Sequence, residues 1–180
     1  MHHKDRRLTT SRMHAAPRRI GAALIGAIVA AALVLTPTGQ ARAATTTVRL
    51  HASTATGESL TGPISAFGTS VSLQPTNVKA SNQKWQKADV GGGFATYKLV
   101  STIGTGRQMC LAASASSPRP FLAICTPGSL GQQWTRGFVN DGRIENRATF
   151  RALTRLSSGV VEMRFLGGGQ VGQTWHEHAA

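Results

Sequence analysis

The feature that most limits what this chain can fold into is a triplet used three times. Gln83-Lys84-Trp85, Gln132-Gln133-Trp134 and Gln173-Thr174-Trp175 share the form Q-x-W, and they contain all three tryptophans of the sequence. These tryptophans stand 49 and 41 residues apart. Upstream context recurs as well: Leu60 lies 25 residues before the first Trp, Leu111 23 before the second and Leu153 22 before the third. A period in this range marks one supersecondary unit repeated along the chain. Three such units, over about 46–89, 94–138 and 140–178, fill most of the sequence beyond residue 44.

Within each unit the apolar residues alternate. Val48/Leu50, Val71/Leu73, Tyr97/Leu99, Met109/Leu111, Leu122/Ile124 and Val161/Met163/Phe165 repeat at i, i+2, the period of a strand with one face in and one face out. Turn-forming clusters separate them, among them Gly62-Pro63, Gly91-Gly92-Gly93, Gly104-Thr105-Gly106, Asn140-Asp141-Gly142 and Gly167-Gly168-Gly169. Short alternating strands at such spacing predict an all-β barrel or sandwich. The remaining aromatics, Phe67, Phe94, Tyr97, Phe121, Phe138, Phe150 and Phe165, mostly alternate with polar residues and are expected in the core.

Three Q-x-W triplets in a small all-β chain resemble the ricin-B-type lectins, the R-type β-trefoils. The second unit carries the likeness best: Met109-Cys110-Leu111, then Pro120-Phe121-Leu122-Ala123-Ile124-Cys125, then Gly131-Gln132-Gln133-Trp134, a C-L, C, Q-x-W frame. The resemblance covers residues 46–178 and implies four strands per unit, closing a six-stranded barrel under a cap of hairpins. It makes Trp85, Trp134 and Trp175 core anchors and gives Gln83, Gln132 and Gln173 the task of satisfying backbone groups. The chemistry agrees, since a buried indole contributes a large apolar area but its N–H requires a partner.

The same resemblance says where sugar should bind and what is missing there. A family site uses an Asp directly after the C-L pair, an aromatic ring about fifteen residues later, and an Asn or Gln beside the Q-x-W. The matching first positions are Thr61, Ala112 and Thr154, none acidic; the stacking positions fall at Thr76 and Asn77, Pro127 and Gly169, none aromatic; only Asn82 keeps the amide. A site without its charged acceptor and its ring loses most of its specific affinity. Asn82, Thr61, Ala112 and Thr154 remain the candidate binding positions, and simple galactosides are not expected to bind.

The first 43 residues are of another kind. Arg18-Arg19 precede an uncharged run from Ile20 to Leu35, followed by Pro37, Gly39 and Ala41-Arg42-Ala43. That order is a secretory signal peptide with small residues at the cleavage site; Met13 serves as a start as well as Met1. The other reading is a membrane anchor, for which the apolar run of 16 residues falls short of the roughly 20 that span a bilayer. Residues 44–180 are then a single secreted, extracellular domain without a membrane span. Seven of the 20 Lys/Arg and one of the 7 acids lie in residues 1–43, so the remainder, with thirteen bases and six acids, carries +7. Its bases are spread along strands, densest over Arg143, Arg147, Arg151 and Arg155, which argues against nucleic acid and allows attraction to an acidic polymer. In an oxidising compartment Cys110 and Cys125 are expected to form a disulfide, the alternative being two buried thiols.

Nothing in the residues points to catalysis. There is no G-x-S-x-G elbow, and His176-Glu177-His178 lacks the helical H-E-x-x-H spacing and sits where chain ends fray. No metal or cofactor is expected. Two readings follow: a non-catalytic carbohydrate-binding module with a non-standard site, or a protein-binding subunit or inhibitor whose partner is another secreted protein. Export is directly testable. N-terminal sequencing of the secreted protein is expected to start at Ala44, and a product that keeps Ile20 to Leu35 and pellets with membranes contradicts it.

Overall fold

The computed structural model describes residues 44–63, 67–135, 142–167 and 171–180; the expected leader lies outside them, as do Phe138 and Gly169. The described residues belong to one compact unit. Among them eleven strands, numbered in chain order, build it. The first unit comprises β1 (Thr45–Ala52), β2 (Glu58–Thr61), β3 (Ser72–Pro75) and β4 (Trp85–Gly91). The second comprises β5 (Phe94–Leu99), β6 (Met109–Ala112), β7 (Phe121–Ile124) and the short β8 (Trp134–Thr135). The third comprises β9 (Arg151–Arg155), β10 (Val161–Phe165) and β11 (Trp175–Ala179).

The first and last strands of the units form a closed barrel. β1 lies between β11 and β4, β4 pairs with β5, and β5 pairs with β8, all antiparallel. The sixth stave is residues 143–146, joined by the bridges Trp134↔Asn146 and Arg143↔Thr174. The middle strands form three hairpins, β2–β3, β6–β7 and β9–β10, which cover one end. This is the β-trefoil arrangement expected from the repeats.

The core explains why Trp, Leu and Gln recur. Trp85, Trp134 and Trp175 are buried together with Leu50, Leu60, Leu99, Leu111, Leu122, Ile144 and Leu153. Each indole Nε1 donates to the backbone carbonyl of the leucine that the spacing singled out: Trp85 to Leu60 at 3.0 Å, Trp134 to Leu111 at 2.9 Å, Trp175 to Leu153 at 2.8 Å. Each glutamine spans the turn behind its hairpin. Gln83 Nε2 donates to Pro75 O (2.9 Å) and its Oε1 accepts from Asn77 N (2.7 Å); Gln132 repeats this with Ile124 O (2.7 Å) and Thr126 N (2.9 Å). Gln173 Nε2 reaches Phe165 O at 3.0 Å and Thr154 Oγ1 at 3.2 Å, while its buried Oε1 has no partner.

Crowding fixes the residue before Gln132 and Gln173, whereas Asn82 holds that place before Gln83. The amides of Gly62, Ala113 and Arg155 donate to the carbonyls of Asn82, Gly131 and Gly172. A Cβ on Gly172 would stand 2.1 Å from Arg155 O, at φ +95°, and one on Gly131 would stand 2.8 Å from Ala113 O. Only glycine fits such contacts.

Cys110, on β6, and Cys125, just past β7, are disulfide-bonded with Cα atoms 5.0 Å apart. Two expectations need correction. Ile124 and Phe165 are exposed, because they end their hairpin strands where the barrel no longer covers the inner face. Phe67, Phe150 and Phe165 are about two-thirds exposed rather than core, Phe94 and Phe121 are half-buried, and Tyr97 alone among the described non-tryptophan aromatics is fully buried.

Replacing any one of Trp85, Trp134 or Trp175 by Ala is expected to cost about 3–5 kcal/mol by denaturant titration, since it removes a buried ring and leaves a cavity. A near-neutral effect at two of the three would contradict their equivalence.

Candidate binding surfaces

The four positions proposed from sequence are placed as follows. Thr61 and Thr154 are buried at the ends of hairpin strands, and each hydroxyl donates to the carbonyl two residues back, Ser59 O at 2.9 Å and Ala152 O at 3.0 Å. Ala112 is likewise buried. Asn82 donates Nδ2 to Gly62 O at 3.3 Å. These side chains do not converge on a common site: Thr61 and Asn82 belong to the first unit, Ala112 to the second and Thr154 to the third, and none offers a carboxylate.

The stacking positions also shift. Strand register sets Ser72 opposite Thr61, Phe121 opposite Ala112 and Glu162 opposite Thr154. Thr76, Asn77 and Pro127 lie beyond the hairpins, in the turns that lead to the Q-x-W glutamines. A count along the chain crosses a hairpin loop of variable length, whereas register is set by pairing. An aromatic ring thus does stand opposite the second-unit position, in Phe121.

The Arg143–Arg155 group does not form a free basic face. Arg147 donates to Gln133 Oε1 at 2.6 Å and its guanidinium lies 4.7 Å from the Phe94 ring centre. Arg155 pairs with Glu58 at 3.3 Å, and Arg151 lies 5.0 Å over the Phe165 ring.

A cleft of about 280 Å³ opens in the second unit, between the outer face of β5 and the turn after β7. Thr96, Lys98 and Gln108 form one wall; Thr126, Pro127, Ser129 and Gln133 form the other, with the disulfide at its base. Pro127 and Gly128 (φ +79°) make the turn, closed by Ser129 N donating to Thr126 O at 3.2 Å. Gln132 is engaged at both ends of its amide. The side chains of Thr96, Lys98, Gln108 and Ser129 make no hydrogen bond to any described residue. Chain-local reading missed this cleft because its two walls come from segments some thirty residues apart.

A second concavity, of about 400 Å³, runs along the third hairpin beside Arg151, Glu162, Arg164 and Phe165. Glu162 and Arg164 pair along β10 at 2.9 Å. Close by in sequence, Phe150 is held at φ +54° and exposed, at the end of a turn capped by Asn146 Oδ1.

The C-terminal histidines do not fray. They lie in β11, where His176 faces His51 of β1 and His178 faces Arg49. The His51 and His178 rings meet edge to face at 4.8 Å. Among the described residues no group of His, Cys, Asp or Glu is arranged to hold a metal ion. On the barrel's inner side Glu177 accepts from Tyr97 Oη (2.5 Å) and from Lys87 Nζ (2.5 and 2.7 Å). Burial, and then the Glu177 charge, push the Tyr97 hydroxyl well above its usual range.

No family profile and no curated protein matches the sequence. Solved structures do match the fold. The designed three-fold symmetric protein ThreeFoil superposes with a TM-score of 0.62 at 21% identity, over 74% of this chain and 99% of that one. The Polyporus squamosus lectin, solved with the human-type influenza-binding epitope Neu5Aca2-6Galb1-4GlcNAc, gives 0.61 at 19% identity, over 74% of this chain and 49% of that one. SeviL bound to asialo-GM1 saccharide gives 0.55 at 10% identity, over 76% and 99%. This chain spans about half the length of the Polyporus lectin. At these identities the likeness establishes a shared fold.

The histidine row sets a pH dependence. Burial first, then the neighbouring His178 and Arg49 charges, hold His51 below its usual value of 6.5, outweighing the Glu58 and Thr56 backbone carbonyls. The folded state therefore disfavours the proton, so stability is full above pH 6.5 and falls as pH drops below that through the folded value. Denaturant midpoints are expected to decline between pH 7.5 and 5.5, and His51→Gln is expected to flatten that slope. An unchanged slope in the variant would assign the decline to other groups.

Proposed function

We propose that this chain is exported after cleavage near Ala43 and acts as a non-catalytic glycan-binding module, holding one unit of an extended saccharide in the second-unit cleft. The observation that carries this reading is the set of polar side chains in the cleft that no intramolecular partner engages. Sugar recognition needs convergent donors and acceptors beside an apolar surface, and Pro127 with the disulfide supplies the latter. Two of the structurally similar β-trefoils were solved with saccharides bound, which adds support at the level of fold.

The cleft is small, at the lower end of the roughly 300–1,000 Å³ range of ligand clefts. A free monosaccharide presents few atoms, and its affinity rests on charge-assisted hydrogen bonds and a stacking face. Thr61, Ala112 and Thr154 offer neither, so the affinity must come from a longer chain that makes contacts beyond the cleft. A second reading, docking to a secreted protein partner, is favoured by the exposed Phe165 beside Arg151 and by the exposed Phe150 next to it in sequence, since aromatics and Arg are enriched at protein interfaces.

An array of extended glycans, together with affinity electrophoresis in polysaccharide gels, tests the first reading. Retention is expected for at least one polymer, with no calorimetric response to millimolar lactose. Thr96→Tyr, which fills the cleft from the outer face of β5, is expected to abolish retention, and Phe165→Ala to leave it intact. Retention that survives Thr96→Tyr but is lost in Phe165→Ala would move the site to the third hairpin.

A further inference from the structure

The hydrogen-bonding character of the cleft is one-sided. Of its twelve lining residues one is a cation, Lys98, and none is a carboxylate. The described glutamates that form ion pairs are held elsewhere: Glu177 on Lys87 inside the barrel, Glu58 on Arg155 and Glu162 on Arg164. Lys98 is half-buried and forms no ion pair. It is directly paired across the sheet with Cys110, so the disulfide lies beside its stem.

Gln133 strengthens the bias. It is 6% exposed, and its Oε1 is occupied by the Arg147 guanidinium at 2.6 Å. One of the two acceptor positions of that oxygen is thus taken, while the Nε2 hydrogens donate to no described residue. Arg147 is itself steadied over the Phe94 ring, so the orientation of Gln133 is fixed by packing as well as by the bond. The cleft therefore presents an ammonium and an oriented amide N–H₂, with the Thr96 and Ser129 hydroxyls able to donate beside them. Its one side-chain amide oxygen not already engaged is that of Gln108. Such a cationic lining, with several donors and no carboxylate, matches an oxyanion better than a neutral polyol.

We propose that the cleft selects an acidic saccharide, one whose ring carries a carboxylate or sulfate, with the oxyanion placed between Lys98 Nζ and Gln133 Nε2. This rests on the glycan reading of the same cleft and specifies its ligand class. No bond is made or broken; selection arises from the charge-assisted contact, and salt weakens it.

The test compares matched polymers: polygalacturonate against its methyl ester, and dextran sulfate against dextran, each immobilised and probed with the full secreted protein at low and at high salt. The first pair reads carboxylate and the second sulfate. Lys98→Gln is compared with Lys79→Gln, which removes the same charge from an exposed position outside the cleft. The charged member of at least one pair is expected to bind more tightly. Lys98→Gln is expected to lower that binding by on the order of five- to tenfold, as for a partly exposed charge-assisted contact, and to lower binding of the neutral member of the pair by a smaller factor. Lys79→Gln is expected to produce less than half of that loss. Equal binding within both pairs, or equal losses in the two variants, would overturn the proposal while the glycan reading stands on its neutral ligands. Absence of retention on all four polymers and across the glycan array would overturn both.

Discussion

One hydrogen bond, made three times, holds this protein together: an indole N–H from a barrel strand to a leucine carbonyl in the hairpin above it. A buried tryptophan needs both a large apolar surround and one acceptor. Leu60, Leu111 and Leu153 answer both needs, with the side chain in the core and the carbonyl on the indole. Because the bond joins a barrel stave to a hairpin, cap and barrel cannot separate without leaving a buried donor unpaired, which costs about 1–3 kcal/mol at each site. The glutamine two residues earlier acts on the same junction from outside, tying the turn to the end of the hairpin strand. The pseudo-threefold architecture repeats this joint.

That joint was legible in the sequence because its parts are conspicuous residues at a recurring distance. The leucines picked out by spacing are the ones whose carbonyls accept the indole protons. The disulfide was legible from the expectation of export and from the frame of the second unit. Surface chemistry was not. A count of about fifteen residues lands on Pro127, in the turn past the hairpin, whereas the residue paired across the strands from Ala112 is Phe121. Phe165 continues an apolar alternation and is nonetheless exposed, since alternation reports a face and not what lies over it. Bases are densest between 143 and 155 in the sequence, and folding sends Arg147 to Gln133, Arg151 to Phe165 and Arg155 to Glu58.

The three units share a frame and differ in what they leave unengaged. The first uses Asn82 to bind its own backbone. The second keeps a concave polar wall beside a covalent staple. The third leaves aromatic side chains outside and one buried amide oxygen, on Gln173, without a partner. Identical scaffolding with divergent surfaces is the usual result when function resides in loops on a repeated fold. The concentration of open donors in the second unit is what distinguishes its cleft from the corresponding places in the other two.

The sixth stave, residues 143–146, closes the barrel by mixed means: the bridges Trp134↔Asn146 and Arg143↔Thr174, backbone bonds from Thr135 N to Glu145 O and from Leu153 N to Ile144 O, and the Thr135 hydroxyl, which accepts from Glu145 N and donates to Arg143 O. Arg147 stands at its edge, bonded through its amide to Gln133 O and through its guanidinium to Gln133 Oε1. Gln133 thus belongs both to the wall of the cleft and to the seam of the barrel. A molecule that bound only with Gln133 held in this orientation would add its binding free energy to the closed ring.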